Sequence, residues 1–480
     1  MVARLRNGEF SCLDFRETAP ASAHRDLFLD SAGNIIPELS TLGHLASGIP
    51  GSVDGMETLH GKYGKLPWEE LLQPAISLAE SGFPLTEKDA RQLNGERTKF
   101  DACNPGNDYL CRGEPWKKGD TLIQKDLAET LKRIARNGRK GFYEGETARL
   151  IVEEMQRGKG LITASDLLNY RSVWRQPLKK KISGYTIVSM PPPSSGGIAL
   201  LQMLDLLHRL KIYRYSHLSA GYINLIAEVE KLAYADRSEY LGDPDFYNVP
   251  VEILLSGDYL AARLTKIRAG VTTPSSDILP GNTGRGESEQ TTHFSIVDAE
   301  GNAVSLTTTI NSGFGSRVFV TGAGFLLNNE MDDFSSRPGT PNQFGLLGNT
   351  ANAIEPGKRM LSSMTPTIVE KNGRLYMVVG TPGGATIITS VLQNILNVLA
   401  FGKGMQESVN APRFHHQWMP DKLYMEEGKF DSVIVKELRG MGYTIQFREP
   451  IGRVDAILVL PGRRLEGGAD PRGDDAAGGF

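Results

Sequence analysis

The 480-residue sequence has little of what marks several large protein classes. Three cysteines are too few to staple a small secreted scaffold. No apolar run approaches the ~20 residues of a membrane-spanning helix. The net charge is −3, from 53 basic and 56 acidic residues, so no sustained positive field exists to draw nucleic acid or an anionic membrane. No Cys/His spacing suits zinc, and His415-His416 reads as a loop or surface pair rather than as metal ligands. No cofactor is called for. Repeats and low-complexity tracts are absent. The first ten residues lack the apolar core and small-residue cleavage site of a signal peptide. What remains is a globular composition, 40% hydrophobic and 23% charged, in a chain long enough for a large core.

The periodicities divide the chain in two. From about 67 to 268 the signals are mostly helical, with apolar stripes over 68–81, 126–136, 146–157, 198–210 and 220–236. Asp166 is read as an N-cap and 191–197 as a turn into the helix at Ile198. From Thr291 strands dominate: 365–370 and 375–379 around Asn372-Gly373, then 445–449 and 454–460, with a helix over 386–400. A hairpin around Asn7-Gly8 opens the chain, and 467–475 reads as a loop. Strands at both ends with helices between predict a layered α+β sandwich. Cys12 reads as a buried small hydrophobe. Cys103 and Cys111 flank a polar loop, and a disulfide between them is one of two open readings.

One junction stands out. A Gly/Pro/Ser/Thr-rich run from about Gly270 to Gln290 stops at Thr291-Thr292-His293, where a hairpin begins at once. A linker running into a hydroxyl residue at a strand's start is the layout of a self-cleaving precursor. Cutting there would free a threonine whose own amine can act as its base. With the hairpin loop at Ala299-Glu300-Gly301, paired positions sum to 600, which sets Thr291 opposite Thr309 on one face of the sheet. Asn311 follows two residues on. The bland reading is that threonine is a favoured strand residue, and it is preferred for Thr307 and Thr308.

Three clusters follow. Glu330, Asp332 and Asp333 sit after an apolar stretch, where a carboxylate could hold an ammonium group, although three acids in four residues are usually a solvated turn. Ser362-Ser363 precede a strand and would ordinarily be turn residues. Gly383-Gly384 at a helix entrance can aim two N–H groups at one point, a weak signal alone.

In order and spacing these clusters, with 14–20, 48–53, 190–197, 234–237 and 470–473, resemble the γ-glutamyltranspeptidase family of N-terminal-nucleophile hydrolases over nearly the whole chain. The resemblance implies a four-layer αββα sandwich and a precursor that cuts itself between Gln290 and Thr291. A large subunit, 1–290, would stay intertwined with a small one of 480 − 290 = 190 residues, 291–480, as a heterodimer. It implies Thr291 as nucleophile with its freed amine as general base, Thr309 as its hydrogen-bonding partner, and Gly383 and Gly384 as the oxyanion hole. Arg16, Ser362 and Ser363 would bind the substrate's α-carboxylate, and Asn311, Glu330 and Asp333 its α-ammonium. The segment 338–345 would be the lid, with Phe344 closing the pocket. Glutathione and other γ-glutamyl compounds are the implied donors, and water, amino acids or dipeptides the acceptors. Members usually carry a signal peptide, a first helix and a Gly-rich strand upstream of this chain's first residue, which points to a shortened gene or relative. By resemblance the compartment is periplasmic or extracellular, with the cytoplasm left open. A glutaryl or poly-γ-glutamyl acylase and an unprocessed, inactive homologue are the alternatives.

Overall fold

A computed structural model describes residues 1–107, 109–279, 292–337 and 339–479. The predicted cut at Gln290-Thr291, Thr291 itself and Pro338 of the lid lie outside them.

Two antiparallel sheets form the centre. The first has five strands in the order Val173–Arg175, Phe10–Asp14, Val2–Arg4, Ala303–Thr308, Thr292–Val297. The second has six, in the order Leu465–Gly468, Asp455–Val459, Arg374–Gly380, Thr367–Lys371, Tyr185–Ser189, Leu178–Ile182. Alternation along each strand gives every sheet two apolar faces, and three cores fill the three gaps that result. Ala3, Leu13, Phe15 and Leu306 pack under Met56 and Leu59 of the helix Ser52–Tyr63. Val2, Cys12, Val188, Ile368 and Val378 lie between the sheets. The largest core joins the second sheet to the helices Gly196–Arg209, Ala220–Tyr240 and Thr386–Leu399. This is the four-layer αββα sandwich.

The gap between the sheets carries a polar seam. Ser305 Oγ donates to Val379 O at 3.1 Å and accepts from Thr367 N at 3.0 Å, while Ser295 Oγ donates to Asp455 O at 2.9 Å. His293 is buried there between Thr307 Oγ1, 2.9 Å from Nδ1, and Ser295 Oγ, 3.1 Å from Nε2. Its ring lies against Gly380, where an added Cβ would come within 2.2 Å of it. Burial pushes its pKa down to about 3, so the ring is neutral. The strand that follows Thr291 is thereby pinned to the second sheet.

Most sequence-level elements fall within a few residues of their predicted bounds, and the helix Trp68–Ser81 matches them. Four differences have physical causes. Leu178–Ile182 and Tyr185–Ser189 are strands inside the stretch read as helical; the first is the sheet's edge, and its Lys179-Lys180-Lys181 run is how edges are kept from pairing further. Thr163, not Asp166, is the N-cap: its hydroxyl accepts from Asp166 N while the Asp166 carboxylate accepts from Thr163 N, a capping box. Leu465–Gly468 extends the second sheet into the tail read as a loop. Of the two readings open for Cys103 and Cys111, the structure has the free thiols, which donate to Ser316 O and Arg97 O respectively. His415 and His416 are fully buried rather than on the surface. His415 lies between Thr389 Oγ1 and Gln417 Oε1, each at 2.9 Å.

Burial also holds the His415 pKa near 3, below its ordinary 6.5. Between these values the unfolded chain binds the proton and the folded one does not, so stability falls as pH drops below 6.5. Compared with His415→Asn in denaturant titrations from pH 7.5 to 5, the wild type should lose about 1.4 kcal/mol per pH unit below 6.5. A pH-independent difference would contradict the neutral imidazole.

Candidate active site

Four loops converge at one end of the first sheet. Pairs from Thr292↔Thr308 to Val297↔Ala303 all sum to 600, as the hairpin count requires. Thr309 lies one residue past the strand. Its hydroxyl accepts from Asn311 N at 2.7 Å, and Asn311 turns away with a φ of 72°. Strand alternation therefore stops before Asn311. Its Nδ2 instead donates to Asn329 O at 3.0 Å, binding it to the acidic segment.

That segment is a short 3-10 turn, Glu330–Asp333. Far from being a solvated turn, it is interior: Glu330 is 0% exposed and Asp332 3%. Arg16, brought in by the chain leaving Phe10–Asp14, is 5% exposed and pairs with both Glu330 and Asp333; Glu17 lies 3.7 Å off. Burial pushes the Glu330 carboxyl well up and the Arg16 charge pulls it back. The Asp333 carboxyl is raised for the same reason, and Glu17 rises to about 7. Apart from the ion pair, neither Glu330 oxygen has a hydrogen-bond donor among the described residues. A fully buried carboxylate with open acceptor sites is costly unless something fills them.

The serine pair is the third loop. Ser362 N donates to Pro193 O at 2.9 Å, and Ser195 N and Oγ both donate to Ser362 O, at 2.8 and 2.7 Å. Arg16 Nε reaches Met360 O of the same segment at 3.3 Å. A cavity of about 40 Å³ is lined by Arg16, Glu17, Thr309 and Ser362, among others. A ligand that pairs with Arg16 there must displace contacts that the arginine now makes to Glu330 and Asp333.

Gly383 and Gly384 form the fourth loop, with φ of 137° and 51°, in the region that favours glycine. Gly383 O caps the helix behind them by accepting from Thr386 N and Oγ1 at 2.9 and 2.8 Å. The Phe344 ring covers this loop: a Cβ on Gly384 would lie 2.8 Å from Phe344 Cδ1. The covering segment is tied to the acids, since Asn342 Nδ2 donates to Asp333 Oδ1 at 3.0 Å and Gln343 N to Asp332 Oδ2 at 2.9 Å. Arg16, Glu330, Asp333, Thr309, Asn311, Ser362, Ser363, Gly383, Gly384 and Phe344 thus lie on loops that meet or connect through these contacts.

The gamma-glutamyltranspeptidase family profile matches residues 1–480. The chain belongs to the γ-glutamyltranspeptidase family. It is 46% identical over 483 residues to the glutathione hydrolase proenzyme of Escherichia coli (strain K12), covering 100% of this chain and 83% of that one. The glutathione hydrolase proenzyme of Bacillus subtilis (strain 168) is 39% identical, with 96% and 79% covered. Among solved structures, cephalosporin acylase from Bacillus halodurans superposes with a TM-score of 0.85 at 26% identity, covering 99% of this chain and 85% of that chain. Helicobacter pylori γ-glutamyltranspeptidase gives 0.57 at 42% identity, covering 58% and 81%.

Several residues around this candidate site carry no role at the sequence level. Asn342 and Gln343 fasten the covering loop to the acids, and His293 fixes the strand behind residue 291. Ser195 and Arg237 lie in matching motifs, but only their contacts show what they hold. Among the described residues no group of His, Cys, Asp and Glu is arranged to hold a metal ion, and no helix is long and apolar enough to cross a membrane.

Proposed function

We propose that the chain is a precursor that cuts itself before Thr291 into 1–290 and 291–480. The product is a γ-glutamyltransferase and hydrolase acting on glutathione and related γ-glutamyl compounds. Family membership and the likeness, over the whole of this chain, to a glutathione hydrolase proenzyme support the activity. The observation that carries the substrate reading is the buried Arg16–Glu330–Asp333 group. An amino-acid head group brings a carboxylate for the guanidinium and an ammonium for the acids. It enters by exchange: each charge of the zwitterion replaces one that the protein now supplies to itself, so no charge is left buried alone. The open acceptor sites on Glu330 receive ammonium N–H groups. Ser362 and Ser363 hydroxyls donate to the α-carboxylate, and the Asn311 amide oxygen accepts from the ammonium.

The γ-carbonyl is then presented to Thr291. The Thr291 Oγ–C bond forms as its proton passes, through water, to the Thr291 amine. Thr309 steadies the hydroxyl, and the Gly383 and Gly384 N–H groups hold the tetrahedral oxyanion. The intermediate collapses by breaking the C–N bond, the amine returning its proton to the leaving nitrogen. Water or an acceptor amine then attacks the threonyl ester and releases Thr291. With Phe344 over the glycines, the 339–345 loop limits water access and favours an amine acceptor. By family resemblance, the enzyme works in the periplasm or outside the cell.

Gly384→Ala tests the oxyanion assignment. The new methyl meets Phe344 and strains a φ of 51°. The kcat for γ-glutamyl anilide should fall about 100-fold, with KM changed by less than about threefold. A KM-only effect would assign Gly384 to the lid alone.

The likeness to cephalosporin acylase keeps a glutaryl substrate in view. A glutaryl group has no ammonium and gives Glu330 and Asp333 nothing to bind. Purified enzyme should turn over γ-glutamyl anilide with a kcat/KM more than about 100-fold above that for glutaryl anilide, and a dipeptide acceptor should raise the rate. Equal turnover of the two would overturn the head-group reading.

A further inference from the structure

Arg237 is a buried cation that the proposed chemistry leaves unused. It sits in the helix Ala220–Tyr240 and is 5% exposed. Its Nε donates to Ser195 Oγ at 3.0 Å and its Nη2 to Ser363 Oγ at 3.3 Å. Both partners are neutral hydroxyls, and no carboxylate lies within ion-pair distance of the guanidinium among the described residues. This sets it apart from Arg4, Arg16 and Arg413, buried arginines that each face an acid. Burial lowers its pKa to about 10, and Asp333 is among the charges that pull it back up. A buried arginine is ordinarily paired, because its charge is costly out of water and one-sided hydroxyl contacts compensate little of it.

The surroundings show what would complete it. The segment Met360–Ser363 is gripped from both sides, by Arg16 at Met360 O and by Arg237 at Ser363 Oγ. One turn earlier on the Arg237 helix, Tyr234 donates to Ala385 O beside the glycine pair. A single helix face therefore sets both the serine loop and the glycine loop. With Arg237 donating to it, the Ser363 hydroxyl has its lone pair engaged from behind and its proton directed forward. That polarisation strengthens a hydrogen bond to an anion.

We propose that Arg237 is a positioning and specificity residue for the substrate's α-carboxylate. It acts through Ser363 and leaves its own charge uncompensated until that carboxylate arrives. The proposal rests on the head-group reading above. It predicts a penalty confined to ligands that carry an α-carboxylate, whereas a brace for the 192–197 turn would affect all ligands alike.

The test uses the mature enzyme and two competitive inhibitors of γ-glutamyl anilide turnover: L-glutamate, and 4-aminobutyrate, which lacks only the α-carboxylate. Arg237→Met should raise the Ki of glutamate about 10- to 100-fold and that of 4-aminobutyrate less than about twofold. Arg237→Lys, which keeps a charge but not the fork, should lie between wild type and Met for glutamate. If Arg237→Met does not mature, Arg237→Lys alone decides, since its glutamate Ki must rise at least about threefold with 4-aminobutyrate unchanged. Equal shifts for both ligands, or none for glutamate, overturn the proposal. If wild type binds the two ligands equally well, the head-group reading fails, and this proposal, which rests on it, fails with it.

Discussion

Thr291→Ala leaves the 480-residue chain as one band on a denaturing gel and lowers γ-glutamyl anilide turnover by about 10⁵-fold or more. Both effects follow from the missing hydroxyl. Self-cleavage needs the Thr291 hydroxyl to attack the Gln290 carbonyl, and turnover needs the same hydroxyl carried by a residue with a free amine. The two losses should therefore appear together. Thr291→Ser, which keeps the hydroxyl, should still cleave and retain part of the activity. A chain that stays whole yet turns substrate over would separate the two and remove Thr291 from the chemistry.

The second large effect is at Arg16. Arg16→Met strands Glu330 and Asp333 in a buried site with no cation directly against them. Breaking a buried pair from one side costs about 3–5 kcal/mol, and kcat/KM should fall about 10³-fold with the carboxylate anchor gone. The loss has a pH signature. Without Arg16, the two carboxyls, already raised by burial, rise further. A carboxyl whose folded pKa lies above its unfolded value favours folding at low pH, and that contribution fades as pH rises through the folded pKa. The variant should therefore be less impaired in stability at pH 5 than at pH 8. Adding Glu330→Gln should restore stability without restoring activity, because it removes the stranded charge but not the need for an anchor. Additive destabilisation would mean that Arg16 and Glu330 do not act as a pair.

What could be read from the chain and what could not divides along physical lines. The Thr292–Val297 hairpin was legible to the residue, because a two-residue period and one loop fix every pair. Amphipathic helices were legible from their stripes. The edge strand Leu178–Ile182 was not: its lysines serve against aggregation rather than burial, and they erase the apolar signal. His415 looked exposed because an adjacent polar pair does so in isolation; only the helix Thr386–Leu399 covering it makes it interior. The site is the extreme case. Arg16 and Glu330 are 330 − 16 = 314 residues apart, and no local pattern brings them together. Family resemblance nominated them. The structure adds that they hold one another, that Asn342 and Gln343 tie the loop over Gly384 to Asp333 and Asp332, and that Arg237 lies behind the serines.

The most direct measurement is the N-terminal sequence and intact mass of every fragment in the purified, active protein. The account requires two fragments, 1–290 and 291–480, the smaller beginning Thr291-Thr292-His293 with an unblocked amine. A small fragment that starts at any other residue, or full activity in an uncut chain, would contradict it.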